Sequence, residues 1–142
     1  MGKVKITGTM TQKALAELYR EADLFILPLL SKIHWGIPNV VIEAMATKTP
    51  VICSSLPSLH ELMEHGKSGW FIPERKPKAI VWAIQHLWAD PILRLHMGEA
   101  GYQKVSERFS LEVTGKQLRE IFQVAMPEVG LVRGKFHEKV LV

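Results

Sequence analysis

The chain has 142 residues, of which 47% are hydrophobic and 23% charged, a balance that fits one globular domain and excludes a disordered chain. Its net charge of +4 comes from scattered lysines and arginines rather than a basic run, which argues against nucleic acid and is compatible with a phosphorylated small molecule or an anionic membrane face. A single cysteine excludes an internal disulfide framework and a cysteine-based zinc site, and with no long apolar span or signal-type N-terminus the chain is expected to be cytoplasmic.

In chain order, KVKITG (3–8) reads as a short strand ending in a glycine. TMTQKALAELYREA (9–22) places Leu15, Leu18, Tyr19 and Ala22 on one helical face, with Thr9 or Thr11 as the N-cap. DLFILPLL (23–30) is a continuous apolar run stopped by Pro28, the pattern of a strand buried on both faces. The loop SKIHWGIP (31–38) leads into a helix over 38–48, with Pro38 in its first turn. PVICSS (50–55) is a second buried strand, so Cys53 is expected to be a packed thiol rather than a reactive one.

SLHELMEHGKSG then gives a short helix and turn, and WFIP (70–73) the last strand. Helical patterns follow over 77–89, 91–107 and 110–126, with Pro91 and Ser110 marking the starts of the second and third. In the first of these, Val81, Ile84, Leu87 and Trp88 form a broad apolar face expected to pack into the core. Strands alternating with helices predict an α/β fold: a partial Rossmann-like parallel sheet of about four strands, with helices on both faces and a helical C-terminal end. The domain is expected over 1–126, and the tail 127–142, which loses the helical period, as a poorly ordered end.

One stretch asks for an explanation: GIPNVVIEAMATKTPV (36–51), where Glu43 sits inside a nearly all-apolar helix pattern. A carboxylate placed there has to be paired, hydrogen-bonded or facing a ligand. In open α/β sheets, ligands bind beyond the carboxyl ends of the strands, where loops run into helix N-termini. The first turn at Pro38 and Asn39 offers free amides and a positive dipole end, Gly36 lets a ligand approach the backbone, and Glu43 lies one turn further on. Two alternatives stand beside the ligand reading: an ion pair with a lysine such as Lys48, or a carboxylate simply reaching solvent.

SKIHWGIPNVVIEAMATKTPVICSS resembles the signature region of the group 1 retaining glycosyltransferases, which pair two Rossmann-like domains in the GT-B arrangement. KALAELYREADLFILP, HELMEHGKSGWFIP and DPILRLHMGEAGYQKVSERFS resemble the family's flanking elements, in the family's order, so that the likeness covers roughly residues 4–124. By this resemblance Glu43 corresponds to the glutamate that holds the ribose of the nucleotide. Gly36, Ile37, Pro38, Asn39 and Val40 correspond to the loop and helix start that meet the diphosphate and donor sugar. The resemblance implies a nucleotide-diphosphate sugar as donor and no cofactor or metal, with the helix N-terminus and basic side chains neutralising the diphosphate.

This chain departs from the family's pattern in three places. Trp35 stands where the family carries an acid that contacts the donor sugar; an indole accepts no hydrogen bond, and either stacks on a sugar or base face or covers a defective site. His34 beside it is an accessory candidate, against the more common solvated loop histidine. In SSLPSLHEL (54–62), Pro57 and Ser58 replace two glycines, while Glu61 keeps its place as a second accessory candidate. The resemblance also begins at the family's third C-domain strand, so the N-domain, two strands and a basic pair that clamps the diphosphate are expected to lie outside this chain. A donor-binding part without transferase turnover of its own is the expectation, with no catalytic residue assigned. Its competitors are a non-catalytic nucleotide- or phosphate-binding module, a module completed by a partner chain that supplies the missing half, and a helical scaffold without a ligand site. Membrane association is a secondary expectation, weakened by the missing N-domain.

Overall fold

The computed structural model describes residues 4–33 and 36–125. The described residues fall into two compact units, divided after Ser110.

In the first unit, helix α1 (Gln12–Glu21) is followed by strand β1 (Phe25–Leu27), helix α2 (Asn39–Ala46), strand β2 (Val51–Ser54) and the short helix α3 (Pro57–His60). Strand β3 (Trp70–Ile72), helix α4 (Pro77–Ala89) and helix α5 (Pro91–Arg108) complete it. The three strands form one parallel sheet in the order β1-β2-β3, with Ile52 of β2 opposite both Ile26 and Trp70.

β2 is the central strand, and all four of its residues are buried. Its side chains alternate between two cores. Val51 and Cys53 join Tyr19 of α1 with Val41 and Met45 of α2 on one face. Ile52 joins Ile72, Ala83, Leu87 and Met97 on the other, beneath α4 and α5. An apolar run such as Val51–Cys53, covered on both sides, is what a parallel sheet requires. Among the described residues, no helix is long and apolar enough to cross a membrane.

The helix boundaries follow from the local chemistry. Thr11 caps α1, its hydroxyl accepting the Ala14 N–H. Proline opens both α4 and α5, at a position where its missing N–H has no helical partner to lose. The Asp90 carboxylate accepts the Leu93 N–H at the start of α5, and the Arg94 guanidinium reaches back to the Leu87 and Trp88 carbonyls that end α4. α5 crosses α2 at Gly98, where a Cβ would collide with the Lys48 carbonyl oxygen.

The structure corrects two sequence expectations. Residues 4–8 form no strand, so among the described residues the sheet has three strands rather than about four. Val4 and Ile6 are 90% and 92% exposed: with no ladder partner and no sheet face to cover, the segment has nothing to hold it extended in a sheet. The apolar face of α4 is core only in part. Leu87 is buried and Ile84 packs beside it, but Val81 and Trp88 turn outward.

In the second unit, taken by itself, α6 (Leu111–Ala125) carries Glu112 in its first turn and a Lys116–Glu120 ion pair one turn apart at 4.0 Å. Residues 127–142, for which a poorly ordered tail is expected, lie outside the described residues.

Candidate functional site

Glu43 lies on the exposed flank of α2, half-buried, one turn after the helix start at Asn39. Of its two alternative fates, the ion pair with Lys48 is not formed. That ammonium turns away to Glu99 at 2.7 Å, and this hydrogen bond pushes it above the usual lysine range. It also sits 4.9 Å from the centre of the Tyr102 ring. Glu43 instead meets the phenol of Tyr19, which donates to its Oε2 across 3.5 Å.

Tyr19 is firmly placed. Its ring stands edge-on to Phe25 at 5.4 Å, and its carbonyl accepts the Thr49 hydroxyl at 2.7 Å. Thr49 is linked in turn to Thr47, whose hydroxyl reaches the Ala44 carbonyl at 2.8 Å. Burial, followed by the charge of Glu43, pushes the Tyr19 phenol above its ordinary value. The phenol therefore stays protonated and keeps donating.

Beside this pair opens a groove of about 270 Å³ between α1 and α2, lined by Gln12, Ala16, Tyr19, Glu43, Ala46 and Thr47. A carboxylate offers roughly four lone-pair sites. One neutral donor at long range leaves most of that capacity facing the groove. The groove accepts hydroxyl groups well, with a carboxylate, a phenol and a threonine on its lining.

The other expected residues gather at the start of α2. Pro38 is the N-cap, and no side chain caps the helix, so the first-turn amides at Asn39 and Val40 are not capped from the loop. Gly36 has open space where a side chain would stand, and Ile37 packs against the core below it. The Ser58 hydroxyl donates to the Gly36 carbonyl at 3.1 Å. The replacement of two glycines by Pro57 and Ser58 thus has a local outcome: Pro57 opens α3, and Ser58 tethers the loop ahead of α2.

The structure does not bring all of these residues into one cavity. None of residues 36–40 lines the Glu43 groove. Glu61 is exposed at the end of α3, where its backbone N–H donates to the Leu59 carbonyl and its own carbonyl accepts from Arg108 at 3.3 Å. His34 and Trp35 lie outside the described residues. Sequence reasoning placed Tyr19 on a core-facing stripe and missed it as the partner of Glu43. Among the described residues, no cluster of three or more His, Cys, Asp or Glu side chains is placed to hold a metal.

Residues 1–90 match the family described as "Glycosyl transferases group 1". The amylovoran biosynthesis glycosyltransferase of Erwinia amylovora is 34% identical over 131 residues, an alignment covering 84% of this chain and 30% of that protein. Sucrose-phosphate synthase from Thermosynechococcus elongatus superposes with a TM-score of 0.76 and 26% identity, over 85% of this chain and 30% of that one. An Anabaena protein crystallised with UDP-glucose superposes with a TM-score of 0.69 over 78% of this chain and 30% of its own length; at 21% identity that likeness concerns the fold. The chain spans about 30% of the length of the curated relatives it matches.

Proposed function

The chain belongs to the group 1 glycosyltransferases and has the fold of their C-terminal GT-B domain, and from that membership we propose that it is the nucleotide-diphosphate-sugar-binding part of a retaining sugar transferase. The observation that carries this reading is the state of Glu43: a half-buried carboxylate with no cationic partner among the described residues, met by one neutral phenol and open to a groove. Such a group is suited to accept the two hydroxyls of a ribose. The uncapped start of α2, with Gly36 open in front of it, is suited to the diphosphate and donor sugar. Ile37, Pro38, Asn39 and Val40 supply that backbone, with Trp35 a further donor-binding candidate and His34 and Glu61 accessory candidates from the sequence.

In this reading no metal takes part. The helix dipole and basic side chains balance the diphosphate, and the protein contributes positioning and stabilisation of the leaving group. No catalytic base is assigned within these residues, and the chain alone is expected to show no sugar transfer. The acceptor belongs to glycan or polysaccharide synthesis in a cytoplasmic setting, in line with the Erwinia relative's role in amylovoran biosynthesis.

One observation favours a second, partner-completed reading. Among the described residues β1 pairs on one side only, and its Phe25–Leu27 backbone leaves a half-buried apolar edge able to receive a strand from another chain.

An amide-resolved NMR titration with UDP, GDP and ADP, repeated on Glu43→Ala, tests the proposal. Shifts confined to residues 35–43 and the α1 wall, lost in the variant, are expected for one of the three nucleotides. A dispersed spectrum that responds to none of them overturns the donor-site reading and leaves the partner-completed one.

A further inference from the structure

A second cavity, of about 200 Å³, lies where the carboxyl ends of all three strands converge. Pro28 and Leu29 come from the end of β1, Ser54 from β2, Ile72 from β3, and Ile80 from the first turns of α4. It has no residue in common with the Glu43 groove. The carboxyl ends of parallel strands are the general place for ligands in such sheets.

The lining is divided by chemistry. Leucines, isoleucines and prolines form the walls. The polar members are Ser54, Arg75 and Lys76, and no carboxylate lines the cavity. Among the described residues neither cation has an ion-pair partner. Ser54 is 1% exposed, and its Oγ accepts the Leu29 N–H at 2.8 Å. A hydroxyl carries a donor as well as acceptor sites, and among the described residues no acceptor receives the Ser54 proton. Arg75 holds a backbone φ of 56°, a left-handed conformation that a residue with a side chain adopts against its preference. Lys76 sits at the N-cap of α4, where the positive end of the helix dipole adds to the two cations.

We propose that this cavity is a binding site for a phosphomonoester joined to a hydrocarbon portion, the hydrocarbon entering between Leu29, Ile72 and Ile80 and the phosphate meeting Arg75, Lys76 and the Ser54 hydroxyl. Apolar walls select against an inorganic anion, which gains nothing from them. Two uncompensated cations select against a neutral alcohol. Both halves of the ligand are therefore needed. The assignment is independent of the Glu43 reading, since the two sites share no side chain.

The test is a methyl and amide NMR titration of the full chain with hexyl phosphate, hexanol and inorganic phosphate. Hexyl phosphate is expected to shift Leu29, Ser54, Ile72 and Ile80 and to bind at least tenfold more tightly than either of the others. Arg75→Asn, which keeps a residue tolerant of the left-handed backbone, combined with Lys76→Gln should remove that preference while leaving hexanol binding and the Val51 and Met45 signals unchanged. Glu43→Ala should leave it intact. Displacement of hexyl phosphate by phosphatidylcholine vesicles carrying phosphatidic acid assigns the natural ligand to a lipid, and displacement by dimethylallyl phosphate but not by the vesicles assigns it to a soluble ester; displacement by glucose 6-phosphate, which has no hydrocarbon portion, overturns the proposal. Equal binding of hexanol and hexyl phosphate, or shifts away from the cavity, overturns the proposal.

Discussion

The Tyr19 phenol donates to Glu43 Oε2 across 3.5 Å, joining two helices whose contacting residues lie 24 positions apart in the chain. The bond is long and partly buried, so Tyr19→Phe is expected to lower stability by about 0.5–1 kcal/mol, the low end for a protein hydrogen bond. Its pH signature is more distinctive. The folded-state pKa of Tyr19 lies above the ordinary 10.0, so the protonated form is favoured by folding. That contribution is fully present below pH 10 and is lost as the pH rises through the folded value. Urea unfolding in the alkaline range should show stability falling above pH 10 in the native chain and less steeply in Tyr19→Phe. Parallel curves for the two would mean that Glu43 and the burial of Tyr19 have no hold on the phenol.

Glu43→Gln keeps the shape of the side chain and removes its charge. If the carboxylate accepts both ribose hydroxyls, the variant should bind the preferred nucleoside diphosphate more weakly by about 1.5–3 kcal/mol, the range for hydrogen bonds to charged groups. The 2′-deoxynucleotide should show a loss of similar size with the native chain and little further loss with the variant. Calorimetric titration of the four combinations reads the coupling directly. Additive losses would place Glu43 away from the ribose.

Much of this architecture is legible in the residues. α4 and the start of α5 coincide with the expected segments because proline at a first helical position and an apolar period are local signals. β2 reads as buried because VIC is apolar throughout and both faces of a central parallel strand are covered. What stays hidden depends on distant partners. KVKITG has the composition of a strand, but a strand exists only with a neighbour to pair with. Val81 and Trp88 share a helical stripe with Leu87, but which side of that stripe meets the sheet is settled by α5 and β3. Glu43 stands out from sequence as a charge in an apolar run, whereas its tie to Tyr19 arises only when α1 folds onto α2.

Two glycines should respond in opposite directions. Gly98→Ala drives a methyl group into the Lys48 carbonyl where α5 crosses the end of α2, and both sides of that contact are backbone. Overpacking of this kind is expected to cost about 1–3 kcal/mol. Gly115 lies in α6 with open space around its Cβ position. Gly115→Ala should favour the helix by about 0.5–1 kcal/mol through its higher helix propensity. Chemical denaturation of the first variant and helix content by circular dichroism of the second check the pair. A neutral Gly98→Ala would mean that the α2–α5 crossing is looser than its geometry.

Cys53 lies at the centre of the sheet with no exposed surface, and burial pushes its thiol up to about 12. The thiolate is the reactive form, so at neutral pH the folded chain should not react with a disulfide reagent. Labelling should instead follow unfolding, its rate rising with urea in step with the population of the open state. The sign of the pH effect follows from the raised value. Folding favours the neutral thiol, so this contribution is complete below the ordinary 9.0 and is lost as the pH climbs towards 12. Cys53→Ala should remove that part of the alkaline loss while costing about 0.5–1.5 kcal/mol at neutral pH, as for deleting one methyl-sized group from a packed core. Rapid labelling of the native chain at neutral pH, without denaturant, would show that β2 is reached by solvent. The two-faced core built on Val51, Ile52 and Cys53 would then have to open as a unit.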